Sequence, residues 1–170
     1  AGGASIYNLD TNLISKIEIG SGPLSSIHGS QAIGGVINIS TSNNTFNNST
    51  LVGIRSGPDN HTKKYIQGNI ASDKTSFSIS LLDSNSNGFP SLMNSTLDRG
   101  YENNSIVGEL NHNNEYLDMS LSTWSSEGKV EYLIFESPVS QNYRNEAAAA
   151  EFKLKFNEDD LIIFNLNSSR

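Results

Sequence analysis

The chain has 170 residues, a formal net charge of −7 and no cysteine, with 35% hydrophobic and 17% charged residues. The acidic balance leaves no basic patch to neutralise a phosphate backbone, which argues against nucleic acid as a partner. The absence of cysteine excludes a disulfide scaffold, a thiolate metal site and a Cys nucleophile. No apolar run approaches the ~20 residues that a membrane helix needs, and no charged-then-apolar signal segment opens the chain. Uncharged polar residues, Asn and Ser above all, fill much of the sequence. So little apolar content is compatible with disorder, but the apolar residues alternate regularly, which points to strands with one apolar and one polar face.

In chain order, residues 14–19 (ISKIEI) read as a short strand. Gly20-Ser21-Gly22-Pro23 breaks it, and residues 24–28 fit a single helical turn closed by Gly29. Residues 33–39 (IGGVINI) form a second strand, in which Gly34-Gly35 marks a bulge or a close backbone approach. The polar stretch 43–50 (NNTFNNST) places a boundary there, dividing the chain into residues 1–43 and 44–170.

Beyond it, seven segments show period-2 patterning: 51–56, 65–71, 76–81, 105–112, 117–122, 151–156 and 162–167. The clearest sets Phe77, Ile79 and Leu81 against Ser76, Ser78 and Ser80; another sets Phe152, Leu154 and Phe156 against Glu151, Lys153 and Lys155. EAAAAE (146–151) has strong helix propensity, but FKLKF continues it directly, so it is assigned to a strand. Short turns at 72–74, 113–114 and 157–160 alternate with loops at 57–64, 83–102 and 125–145. Such alternation is how membrane β-barrels are connected.

Residues 17–40 (IEIGSGPLSSIHGSQAIGGVINIS) carry the most specific signal. They resemble the end of the plug domain of TonB-dependent outer-membrane receptors, usually IEVxRGPxSxLYGSxAIGGVINI. Glu18, Gly22, Pro23, Gly29, Ser30, Gly34, Gly35 and Asn38 are among the matching positions, whereas Ser21 and His28 stand where the family usually has Arg and Tyr. The resemblance is strong over residues 13–41 and continues by pattern and spacing. Its layout looks most like the cobalamin receptors, through SIYNLDTNLISKIEI and through GELNHN at 108–113.

The resemblance implies a mainly β fold: a fragment of a plugged antiparallel transmembrane β-barrel, with the C-terminal part of the plug in 1–43 and about seven N-terminal barrel strands in 44–170. It implies active uptake of a scarce, large nutrient at the outer membrane, with cobalamin favoured over an iron siderophore. The partners implied are that ligand, outer-membrane lipid, and a TonB-type energy-transducing protein reached through an N-terminal segment expected upstream of Ala1. By this resemblance the chain is an incomplete piece of its receptor. Gly2, Gly3, Ala4 and Ser5 occupy a segment that cobalamin receptors use as a substrate-facing plug loop. Those receptors also bind calcium through Asp-rich loops; the corresponding loops here offer Asp98, Glu127, Glu131 and Glu136, with no Asp-x-Asp cluster, so no cofactor is expected.

The pattern places Phe77, Ile79, Leu81, Phe152, Leu154, Phe156, Ile162, Phe164 and Leu166 toward lipid, and the alternating Ser, Glu, Lys and Asn toward a wet interior. Trp124 and Tyr132 are expected as aromatic-girdle residues near a membrane interface. Nothing in the sequence points to an enzyme. There is no phosphate loop and no G-x-S-x-G elbow, and His28, His61 and His112 lack metal-ligand spacing. The alternative is a soluble, secreted β-sandwich that binds glycans or mediates adhesion; it would explain the alternation but not residues 17–40.

Overall fold

The structure, a computed structural model, describes residues 10–30, 32–41, 48–90, 96–134, 137–156 and 160–169. It is mainly β and divides into two compact units, one of residues 9–44 and the other holding everything from residue 45 onward.

The smaller unit is a β-hairpin with one helical turn set into it. Asp10 caps a 3-10 turn, Thr11–Leu13, by accepting from Asn12 N at 2.8 Å. The Ile14 N–H is used to close that turn onto Thr11 O, so strand β1 runs over Lys16–Ser21 and starts later than the apolar pattern suggests. The helical turn α1, Ser25–His28, ends at Gly29, whose φ of 88° is open to glycine at little cost. Strand β2, Gly35–Ser40, pairs antiparallel with β1, Glu18 opposite Asn38 and Ile19 opposite Ile37.

The larger unit is a seven-stranded antiparallel meander, each strand pairing with the next in sequence. Its strands are β3 Ser49–Ser56, β4 Thr62–Ala71, β5 Thr75–Ser86, β6 Tyr101–Asn113, β7 Leu117–Ile134, β8 Ser137–Lys155 and β9 Leu161–Ser169. All seven patterned segments are strands, including EAAAAE, because Trp124 and Ser125 on β7 pair with Ala147 and Glu146 and fix that stretch in the ladder. The sheet is open: β3 and β9 each pair on one side only.

The loops expected at 57–64 and 83–102 are shorter, because β4 starts at Thr62, β5 runs to Ser86 and β6 starts at Tyr101, and the third expected loop fails. Residues 125–145 are not a loop. β7 and β8 continue to Ile134 and Ser137 as an 18- and a 19-residue strand, paired without interruption. The apolar alternation ends near Thr123 because both faces are largely polar beyond it. Backbone pairing, together with the β-propensity of Val130, Tyr132 and Val139, carries the strands on. The sheet therefore lengthens toward the end that holds the 57–61 and 87–100 connections. Two contacts tie that end together: Asn87 N donates to Asp59 O at 2.9 Å, and Gly100 and Glu131 exchange backbone and side-chain bonds. At the opposite end the turns are tight, with Asn114 Oδ1 accepting from Tyr116 N and Leu117 N at 2.8 Å each.

Candidate functional site

Strict register and period-2 geometry sort the sheet's side chains onto two faces. Phe77, Ile79 and Leu81 share one face with Ile66, Ile106, Leu121, Phe152, Leu154, Ile162, Phe164 and Leu166. Ser76, Ser78, Ser80, Glu151, Lys153, Asn165 and Asn167 share the other. The grouping expected from sequence is the one the ladder makes. Phe156 lies just past the end of β8.

The burial of the two faces is inverted relative to a water-soluble sheet. Among the described residues, every buried side chain of the sheet lies on the polar face: Leu82, Ser84, Asn103, Ser105, Val107 and Ser126. Asn103, Ser105 and Ser126 form a bonded cluster. Ser126 Oγ donates to Asn103 Oδ1 at 2.8 Å, and Ser105 Oγ lies 3.0 Å from both Asn103 Oδ1 and Ser126 Oγ. Mutual bonding is what permits burial of three polar groups. On the apolar face nothing is buried, and Ile54, Ile70 and Leu166 are 74%, 68% and 66% exposed. A soluble sheet puts its apolar face in the core and its polar face in water; this one does the reverse. Apolar groups also stand on the polar face, among them Leu51 on β3 and Leu161 and Ile163 on β9.

Trp124 and Tyr132 sit on the polar face, opposite Val107 and Val139 respectively. Their expected place in an aromatic girdle on the apolar face is thus corrected: the count along β7 from Leu117 puts even-numbered residues on the polar face. Two further aromatics on that face follow a rule that sequence alone did not reveal. Tyr65 lies over Gly53, its partner on β3, in the space a Cβ would take, and the Tyr143 hydroxyl lies beside Gly128, its partner on β7, where the Glu102 carbonyl takes that space.

The apolar face also carries polar ground, toward the end where the sheet lengthens. Lys64, Asp83, Asn104, Glu127 and Arg144 stand side by side across β4 to β8. Lys64 Nζ is 3.9 Å from Asp83 Oδ1 and Arg144 Nη2 is 2.6 Å from Glu146 Oε1.

In the smaller unit, the motif residues hold the hairpin's shape. Glu18 accepts from Asn38 Nδ2 at 3.0 Å and from Lys16 Nζ at 2.5 Å. The hydrogen bond from Lys16, then that from Asn38, holds the Glu18 carboxyl below its usual range. Gly35 has φ 143°, and a Cβ there would strike the carbonyl oxygen of Gly20, so the close approach read at Gly34-Gly35 belongs to Gly35; Gly34 is open. Gly22, at φ 107°, turns the chain into Pro23, and Leu24 N donates to Ala32 O at 3.0 Å across the α1 turn. Ser30 is exposed beyond Gly29. One face of the hairpin is Lys16, Glu18, Asn38 and Ser40; the other is Ile17, Ile19, Ile37 and Ile39, of which Ile19 is 75% exposed.

Gly2, Gly3, Ala4 and Ser5 lie outside the described residues. Among the described residues no group of three His, Cys, Asp or Glu is placed to hold a metal ion. Glu131, one of the loop carboxylates weighed for calcium, is engaged by Lys129 Nζ at 2.7 Å and by Gly100 N at 3.1 Å. No protein-family model matches the chain.

Proposed function

We propose that the chain is part of a TonB-dependent outer-membrane receptor, with residues 1–43 the end of its plug and residues 44–170 the first strands of its barrel. The observation that carries this reading is the inverted sheet. Among the described residues none on its apolar face is buried, and the buried ones all lie on the polar face. A strand ladder of this kind is stable where the solvent on one side is hydrocarbon and the other side is polar, with every backbone group paired. The open edges of β3 and β9 require further strands, because a membrane-embedded sheet must close to satisfy its edge N–H and C=O groups.

The plug assignment rests on the resemblance of residues 17–40. It is supported by the hairpin's bare isoleucine face, which needs another layer of protein over it. On this reading the protein is a transporter and not an enzyme, located in the outer membrane. A large nutrient binds from outside, cobalamin before an iron chelate, and an energy-transducing partner acts through an upstream segment. Gly2, Gly3, Ala4 and Ser5 remain the proposed ligand-facing residues.

The test uses the chain expressed with its own flanking sequence in outer-membrane vesicles. Cobalamin and then ferric chelates are titrated against tryptophan fluorescence, with and without calcium. Saturable cobalamin binding supports the favoured ligand, and binding unchanged by calcium agrees with the missing Asp-x-Asp cluster. A response to a ferric chelate alone keeps the receptor class and reassigns the ligand. No response to either removes this reading of the nutrient.

A further inference from the structure

Charge is sorted between the two faces of the sheet at the end that holds the 57–61 and 87–100 connections. On the apolar face, above the belt of apolar side chains, stand Asp83, Glu102, Glu127, Glu131 and Glu146. The cations there are all paired: Lys64 with Asp83 at 3.9 Å, Lys129 with Glu131 at 2.7 Å and Arg144 with Glu146 at 2.6 Å. At the same end of the polar face the strands carry Arg55 and Lys63, and no acidic residue among those described. The acids of that face are Glu109, Asp118 and Glu151, which stand toward the tight turns and are engaged by Asn111, Lys155 and Lys153. In a chain of net charge −7, a strand surface with cations and no acid is a local reversal of sign.

The arginine is held in place by its neighbours. Gly53 has no Cβ, so Tyr65 lies flat across β3 beside it. Arg55, next on that face of β3, sets its guanidinium 5.8 Å from the centre of the Tyr65 ring. Such a cation–π contact fixes the plane of the guanidinium. Arg55 is exposed and makes no ion pair. Lys63 stands directly opposite it on β4. Like charges opposite each other on one face repel, so the pair favours an anion set between them. Asp59, in the turn above, meets the 87–100 connection through its carbonyl, which accepts from Asn87 N and Ser86 Oγ; its carboxylate pairs with neither cation. The guanidinium matches a carboxylate or phosphate through two parallel hydrogen bonds, and the ammonium adds a second charge.

We infer that Arg55 and Lys63 form an anion-binding pair that takes a carboxylate or phosphate group of the nutrient, an assignment that rests on the receptor reading above and adds to it the charge of the ligand. On that reading the polar face lines the lumen and the longer connections lie outside the cell, so the pair stands where the ligand enters. A cleft lined by one sign of charge concentrates ligands of the other. Two kinds of nutrient meet the requirement: a corrinoid through the phosphodiester of its nucleotide, and a ferric chelate through its carboxylates. A corrin without the nucleotide and a neutral chelate do not.

The test uses four probes: cobalamin, cobinamide (the same corrin without the phosphodiester), ferric citrate, and ferrichrome as a neutral chelate. Each is titrated against tryptophan fluorescence in outer-membrane vesicles holding the chain with its own flanking sequence, as the parent, Arg55→Gln or Lys63→Gln. The parent is expected to bind cobalamin more tightly than cobinamide, or ferric citrate more tightly than ferrichrome; the pair that shows the difference names the source of the anion. Either substitution should weaken the anionic probe about tenfold or more and leave its counterpart unchanged. Added sodium chloride should weaken the parent's binding more than that of either variant, and Arg55→Lys should recover part of what Arg55→Gln loses. Equal affinity of parent and variants for the anionic probe, binding indifferent to salt, or counterparts bound as tightly as the anionic probes would overturn the pair and leave the receptor reading standing. A parent that binds none of the four removes the nutrient reading and the anion pair with it.

Discussion

Tyr143 reaches across Gly128, its neighbour on β7, and donates a hydrogen bond from its hydroxyl to the Glu102 carbonyl on β6 at 3.1 Å. One side chain thereby ties three strands together where β7 and β8 rise beyond the apolar belt. A Cβ on Gly128 would collide with the Glu102 carbonyl oxygen and stand 2.8 Å from Tyr143 Oη. Gly128→Val should therefore cost more than Tyr143→Phe, which removes only the hydrogen bonding of the phenolic hydroxyl, about 0.5–1.5 kcal/mol per bond. Thermal unfolding of the reconstituted protein, followed by strand circular dichroism, checks the order. Equal melting temperatures for the two variants would contradict the close approach of the Glu102 carbonyl to Gly128.

Charge should be tolerated on one face of β5 and rejected on the other. Ile79→Lys or Leu154→Lys places an ammonium in the apolar belt, at a cost of about 2–4 kcal/mol if the position lies near the bilayer centre. Ser78→Lys, one residue away on the polar face, should fold into liposomes as the parent does. Folding yield by heat-modified electrophoretic mobility gives the comparison, and similar yields for Ile79→Lys and Ser78→Lys would contradict the assignment of faces.

Gly35→Ala should loosen the small hairpin without touching the sheet. Its φ of 143° disfavours any side chain, and the added methyl meets the Gly20 carbonyl. A backbone strain of about 1–3 kcal/mol follows. Gly34→Ala, where a Cβ meets nothing within 4 Å, is the control. Amide exchange in β1 and β2 should accelerate for the first variant and stay near the parental rate for the second.

The Glu18–Lys16–Asn38 contacts predict a pH dependence of that hairpin. The Glu18 carboxyl is held below its ordinary value of 4.5, first by the hydrogen bond from Lys16. The folded state therefore binds its proton less readily than the unfolded chain. The contribution is complete above the ordinary carboxylate range and is lost as pH falls through the lowered folded value. Exchange protection at β1, referenced to intrinsic rates, should thus fall between pH 7 and pH 3, by little because the group is fully exposed. Glu18→Gln should flatten that dependence; an unchanged pH profile in the variant would assign it elsewhere.

Much of this architecture was legible before any coordinates. Alternation at 76–81 and 151–156 marks both the strands and their faces, since period 2 along the chain is what the ladder reads. Glycines at 29 and 35 announced a helix end and a close approach, and both occur. The upper halves of β7 and β8 escaped notice because Glu127, Lys129 and Glu131 alternate with Ser126, Gly128 and Val130, leaving no apolar face to follow. The polar-face place of Trp124 follows from carrying the period-2 count on from Leu121. The buried Asn103–Ser105–Ser126 cluster could not be read from sequence, since its members come together only through the register of β6 against β7.

The central claim is that the uncovered apolar face meets lipid in the outer membrane, and cell fractionation tests it most directly. The chain is expressed with its own flanking sequence, the envelope is separated into inner and outer membranes, and each fraction is washed with alkaline carbonate and urea. The account predicts that the protein stays in the washed outer membrane and that Leu154→Lys lowers the amount recovered there. Recovery of the protein in the soluble fraction, folded and monomeric, would contradict it.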